Sequence, residues 1–261
     1  MIRIIVFLFL ILLTPLTSFA NYSEADLRAK NVPERYEKRL EDLVKYLIEP
    51  YKKNDELKAR VIFAWIGYHV EYDMFKYDVI SEKKKGARYT KRKMRTGDAF
   101  KTRVGVCGDI ADLYERMARL AGLEVEYITG YAGNNLTMDD LEDSGHAWKA
   151  VKINKKWHFV DATWGMSGDY TAFNNVDSLA EHRKEIRKRR RGDVDVNANR
   201  SLNSEWFLVS PEKMIKTHFP KREKQQHLSR SVDMKKVFRE NKKRIEKEKR
   251  GKKRWFIHNR F

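Results

Sequence analysis

Cys107 is the single cysteine of a 261-residue chain, and it stands in RVGVCGDIADLYERMARLAGL, flanked by Gly105 and Gly108, where a loop turns into a helix. A thiol in the first turn of a helix lies near the positive end of the macrodipole and near unpaired backbone N–H groups, both of which favour thiolate over thiol. The glycines leave room for a substrate backbone, and amides at the helix start suit a developing oxyanion. Taken alone, a lone cysteine is more commonly a buried free thiol acting as a small hydrophobe. With one cysteine there is no internal disulfide, no resolving thiol for redox chemistry and no paired spacing for structural zinc.

A nucleophilic thiol needs a base, and the base needs a partner that orients it. SGHAWKAVKINKKWHFVDATWG, residues 144–165, places His146 on one expected strand and Asp161 on the next, joined by a turn at Asn154 and Lys155. A two-residue turn pairs Ile153 with Lys156 and sets His146 opposite Thr163. Asp161 is then its diagonal neighbour on the same face, within reach of an imidazole. An odd loop length would put the two on opposite faces. His158 has the other parity and reads as structural. His69, His182, His218, His227 and His258 show no comparable carboxylate partner and read as packing or surface residues. Trp148 and Trp164 flank the proposed pair, either as core aromatics or as walls of a dry site.

These residues need elements to hold them. Tyr36, Leu40, Leu43, Val44 and Leu47 recur at helical spacing within Pro33 to Tyr51. A second helix starts at Asn54 as cap and aligns Leu57, Val61, Ala64, Trp65 and Tyr68. Lys76 to Lys101 reads as a long charged loop able to cover a cleft. Ile110, Leu113, Tyr114, Met117, Leu120 and Ala121 share a face of the helix that Cys107 opens and Gly122 ends. EVEYITGYA, HAWKAVKI, KWHFVDATW and EWFLV read as antiparallel strands, and SPEKMI as a helix capped by Ser210. This order predicts an α+β domain with helices, the nucleophile helix among them, packed on an antiparallel sheet. Glu181 to Arg200 is a charged insertion expected on the surface.

The first twenty residues, MIRIIVFLFLILLTPLTSFA, have a basic start, an apolar run broken by Pro15, and small residues at Ser18 and Ala20. They read as a cleaved secretory signal rather than a membrane anchor, which makes the chain secreted or periplasmic. The remaining ~240 residues suffice for one domain with an appendage. The organisation expected is a signal over 1–20, a helical segment over 21–56, a main domain over 57–220 and a basic tail over 221–261. The formal charge is +18 and concentrated: Lys221 to Phe261 carries 17 Lys or Arg against 5 Asp or Glu, and Lys83 to Arg103 carries 10 against 1. In an exported protein such stretches fit anionic envelope polymers, lipid headgroups or acidic proteins rather than nucleic acid. A plain solubilising surface is the alternative for either.

RVGVCGDIADLYERMARLAGLEVEYITGYA, GHAWKAVKINKKWHFVDATWG and WFLVSPEKMIKTHFP, in this order and preceded by FAWIGYHVEYD, resemble the transglutaminase-like superfamily, especially its kyphoscoliosis-peptidase-like branch. The likeness runs from about Leu57 to Pro220. It implies a papain-like α+β fold and a triad of Cys107 as nucleophile, His146 as base and Asp161 as orienter, matching the residues chosen above. It implies acyl transfer from protein or peptide amides through a thioester, resolved by water or by an amine, with no cofactor and no metal. The basic stretches and the 181–200 insertion depart from the pattern and leave the substrate open. Some relatives of this fold have lost their catalytic residues, so a non-catalytic scaffold held on anionic envelope components by its basic tail is the alternative.

Overall fold

The computed structural model describes residues 22–81, 98–192 and 199–258. The signal-like segment, most of the first basic stretch (82–97) and positions 193–198 of the insertion lie outside them. The chain opens with α1 (Ser23–Lys30), α2 (Leu40–Ile48) and α3 (Asp55–His69). Helix α3 begins where the Asn54 side chain accepts the Leu57 N–H at 3.0 Å, and it is buried without a break from Ala59 to Gly67. A helix covered on all sides is a central element rather than a surface one. Arg60 clamps α1 to it with two 2.7 Å bonds to Asp26. Ala25, Ala29, Leu43 and Leu47 share one core with Ile62, Trp65 and Met117. Packing therefore does not change at the expected 56/57 boundary.

After α3 come β1 (Glu71–Asp73), α4 (Met74–Ile80), α5 (Ala99–Thr102), β2 (Val104–Gly105) and α6 (Cys107–Leu120). Then follow β3 (Val125–Ala132), β4 (Gly145–Ile153), β5 (Lys156–Val160), β6 (Met166–Gly168) and β7 (Thr171–Ala172). The chain continues through α7 (Leu179–Arg190), β8 (Arg200–Leu202), α8 (Pro211–Met214), β9 (His218–Pro220) and α9 (Met234–His258). The main sheet is antiparallel with strand order β5-β4-β3-β9, and β1 lies between β2 and β7 in a small parallel sheet. One face of the main sheet (Val125, Val151, Ile153, Val160) joins the helical core. The other (Ile128, Trp148, Ala150, Phe159) packs under Val209 and Met214. The molecule is thus α+β with helices, including α6, against an antiparallel sheet.

The β4–β5 hairpin has the expected register, Ile153 opposite Lys156. Asn154 and Lys155 both have positive φ, 50° and 64°, the two-residue turn geometry that matches strand twist. Several other expectations are corrected. The Pro33 to Tyr51 helix is confined to α2, with 3₁₀ turns at Glu34–Tyr36 and Glu49–Tyr51; Pro50 has no N–H to extend it. Leu120, assigned to the core stripe of α6, is 46% exposed. The charged loop contains α4 and α5, started by the Asp73 and Asp98 side chains, which accept N–H bonds from Lys76 and Phe100. EWFLV is no strand: Ser204–Trp206 is a 3₁₀ turn, and Leu208 at φ 49° leaves a single bridge between Phe159 and Val209.

The described residues of the 181–200 insertion are mostly exposed, as expected, but they are anchored to the body at three side chains. His182 is buried, Arg189 pairs with Glu71 at 2.6 Å, and Arg200 donates to the Gly67 carbonyl at 2.7 Å. The basic tail is likewise no free appendage, since most of it is α9. Phe238 is buried against Phe219, and the Asn241 amide donates to the Leu136 carbonyl at 2.9 Å. Residues 246–250 stand exposed beyond that anchor. Among the described residues no helix is long and apolar enough to cross a membrane.

Candidate active site

Strand β2 pairs with β1 (Glu71 opposite Val104) and delivers Cys107, half-buried, as the first residue of α6. Asp109, two residues on, accepts the Val106 N–H at 3.0 Å and the Lys76 ammonium at 2.6 Å. Burial raises the Asp109 carboxyl from its usual range, with the Lys76 charge acting against it. The glycines have other uses than the expected one. A Cβ at Gly105 would lie 2.6 Å from that of Asp109, so Gly105 makes space for the residue that caps the helix. Gly108 would meet only the Tyr127 hydroxyl at 3.5 Å and lines a second cleft with Asp98, Asp112 and Arg116, which Cys107 does not line.

His146 stands near the start of β4, and Asp161 follows the end of β5. The pair meets as the diagonal register requires: His146 Nε2 lies 2.6 Å from Asp161 Oδ2. The same imidazole lines a cleft together with Cys107. Burial disfavours the charged ring, but the Asp161 charge and hydrogen bond outweigh it, with Cys107 adding to them, and push His146 up to about 10. Asp161 is fully buried. Burial alone would raise it, yet His146 and then His218 hold it well below the usual carboxylate range. Its Oδ1 accepts the backbone N–H of Thr163 at 2.9 Å and of Trp164 at 3.0 Å. The carboxylate is thereby locked on both oxygens.

His218, set aside in the sequence, is the second imidazole on Asp161: its Nε2 lies 3.0 Å from the same Oδ2. Three of the other histidines taken to lack carboxylates also have them. His182 reaches Asp73 and His227 reaches Glu126, each at 2.8 Å, while His69 lies 3.8 Å from Glu37; the His258 side chain lies outside the described ones. His158 has the expected structural character, half-buried and lowered by burial. His146, Asp161 and His218 could each offer a ligand atom to a metal, all within 4.8 Å, though the short N to O separations are those of hydrogen bonds.

A cleft of about 460 Å³ opens over this group, lined by Cys107 and His146 and walled by Tyr72, Tyr77, Trp164, Tyr170 and Trp206. Of the two tryptophans named from sequence, Trp164 lines it. Trp148 does not: it is buried beneath, stacked at 5.9 Å on the His146 ring, and a Cβ at Gly130 would press 2.7 Å from its edge. Tyr72 escaped the sequence reading. It lines the cleft, and burial holds its pKa far above the usual range, so its hydroxyl keeps its proton. A tyrosine between two acids in VEYDM was the available signal. For His218 only the parity of THFP against β3 could have served, and that needs a strand pairing the sequence does not disclose.

Residues 41–162, which include Cys107, His146 and Asp161, match the model of the transglutaminase-like superfamily. Kyphoscoliosis peptidase of Mus musculus is 28% identical over 187 residues, 69% of this chain and 23% of that protein. The Homo sapiens protein of the same name is 29% identical over 184 residues, again 69% and 23%. The chain thus spans less than a quarter of the length of these curated relatives. Among solved structures, the periplasmic domain of TgpA from Pseudomonas aeruginosa aligns with TM-score 0.36 and 18% identity, over 54% of this chain and 48% of that one, too distant a likeness to bear on function.

Proposed function

Because the chain belongs to the transglutaminase-like superfamily and carries one candidate nucleophilic cysteine, we propose that it is a cysteine acyl-transfer enzyme acting on protein or peptide amides. Cys107 is the nucleophile, His146 its base and Asp161 the orienting acid. The observation that carries this reading is the 2.6 Å contact of His146 Nε2 with Asp161, beside a cleft that His146 and Cys107 both line. Near neutrality the His146 ring, raised to about 10, already holds its proton, so Sγ attacks the amide carbonyl carbon as a thiolate paired with the imidazolium. The Tyr72 hydroxyl, which keeps its proton and lines the cleft with Cys107, is the donor proposed for the oxygen that gains charge. Collapse breaks the C–N bond, His146 gives its proton to the leaving amine, and a thioester remains. Water, deprotonated by His146, then releases the acid. A lysine amine in its place forms an isopeptide bond.

The open cleft over Cys107 favours water, so hydrolysis is the main outcome proposed, in keeping with relatives named peptidase. The N-terminal apolar stretch supports an exported enzyme meeting its substrates outside the cytoplasm. An acyl-donor activity probe should label the wild type and leave Cys107→Ala unlabelled; equal labelling of both removes the proposal. Mass spectrometry of envelope proteins incubated with either form then reads new termini, deamidated glutamines or isopeptide links.

A second reading has one observation in its favour. Helix α9 is held at Phe238 and exposes Lys247, Lys249 and Arg250 beyond the body. On that reading the helix holds the domain on an anionic envelope polymer or membrane surface, and the Cys107→Ala variant keeps full function. Deleting residues 246–261 should then abolish salt-sensitive retention on an acidic polymer.

A further inference from the structure

Asp161 Oδ2 serves two imidazoles, and the proposed chemistry uses only one. An ionised carboxylate accepts hydrogen bonds and cannot donate them, so both Nε2 atoms, at 2.6 and 3.0 Å, carry protons. The two rings differ at their other nitrogen. That of His146 belongs to a ring that lines the cleft with Cys107, whereas His218 Nδ1 lies 2.9 Å from the Thr217 hydroxyl, which can give its proton to that nitrogen or to the Met214 carbonyl at 3.5 Å. His218 is buried among tryptophans, its ring centroid 4.5 Å from that of Trp164, 5.0 Å from Trp148 and 5.1 Å from Trp206. Among the described residues, Asp161 and His146 are the titratable groups acting on it, and burial lowers its affinity for a second proton.

We propose that His218 is a positioning residue: a neutral imidazole, fixed as the Nε2–H tautomer by Thr217, that keeps the Asp161 carboxylate aimed at His146. The proposal rests on the assignment of Cys107 and His146 as an acid–base pair. Two N–H groups converging on one oxygen, with two backbone amides on the other, leave Asp161 no freedom to rotate away when the His146 ring gains or loses its proton. Because His218 donates in its neutral form, it does so without placing a second cation beside the first, 5.6 Å away between centroids. The division of labour is one carboxylate, one imidazole that titrates and one that does not.

The experiment needs no substrate, since Cys107 is the only thiol. The second-order rate of iodoacetamide alkylation is followed from pH 4 to 10 for the wild type, His146→Ala, His218→Leu and His218→Gln. Each variant is checked for folding by circular dichroism. His218→Leu is expected to lose roughly tenfold in rate near neutrality and to move its acidic limb to higher pH, while His218→Gln, which keeps an N–H donor, recovers most of the rate. A folded His218→Leu with the wild-type profile overturns the proposal. If His146→Ala also matches the wild type, the acid–base pair itself has failed, which is a different result. Should His218→Leu not fold, nitrogen-15 NMR of the wild-type imidazoles decides the matter. A neutral Nε2–H form of His218 at pH 7 supports the proposal, and a cationic or Nδ1–H form overturns it.

Discussion

Two buried clusters flank the start of α6, and each is built around a histidine paired with an aspartate. On one side His146 meets Asp161 at 2.6 Å; on the other His182 meets Asp73 at 2.8 Å, with Lys76 and Asp109 closing the group. The difference is what each faces. His146 borders a cleft and Cys107. His182 is shut between Phe75 and Phe173, with ring centroids at 4.8 and 5.0 Å, and ties α7 to the start of α4. A histidine–carboxylate pair is therefore no sign of catalysis by itself. Adjacency to a nucleophile and to space for a substrate makes it one.

That contrast can be broken by experiment. Replacing His146 with Ala should lower turnover of any identified substrate by roughly 10²–10⁴-fold, the usual worth of a general base, while His182→Ala leaves turnover per folded molecule unchanged; comparable losses would erase the distinction. Lys76→Met strands the buried Asp109 carboxylate and should cost about 3–5 kcal/mol in a urea melt. A loss below ~1 kcal/mol would show that the cluster is not a structural clamp. His182→Ala should cost less, about 1–3 kcal/mol, by leaving Asp73 short of a donor.

The pH dependence of stability separates the clusters further. The folded-state value of His146, about 10, lies above the 6.5 of the free side chain. Its contribution to stability is therefore complete below about pH 6.5 and lost as pH rises toward 10. Asp161 is shifted the other way, and its contribution is present above 3.8 and fades as pH falls below that. The stability gap between wild type and His146→Ala should accordingly narrow from pH 6 to pH 10 in parallel urea titrations. A constant gap would mean that the ring is not a buried cation.

The smallest effect expected is at Gly108. Gly108→Ala meets only ordinary contact and should gain up to ~1 kcal/mol of helix stability. Gly105→Ala collides with Asp109 and should cost about 1–3 kcal/mol. A reversed order would return the glycines to the substrate-access role first assigned to them.

The pairing of His146 with Asp161 was legible because it is local. Fifteen residues containing one two-residue turn fix parity, and parity fixes the face. Cys107 at a helix start was legible for a similar reason, since the apolar period of α6 begins there and Gly122, at φ 78°, ends it. The anchoring of the 181–200 insertion was not, because Arg200 reaches Gly67 across 133 positions.

The linear order of residues by itself determined the helix that presents the thiol, the hairpin that joins imidazole to carboxylate, and the uneven placement of charge. Tertiary structure alone decided that His218 shares Asp161, that Lys76 braces α6 through Asp109, and that Trp148 lies beneath the site while Trp164 borders it. The physical reason is separation along the chain. Periodicity and turn chemistry act over a few residues, whereas these contacts join groups 33 and 57 positions apart, brought together only by burial of a shared core.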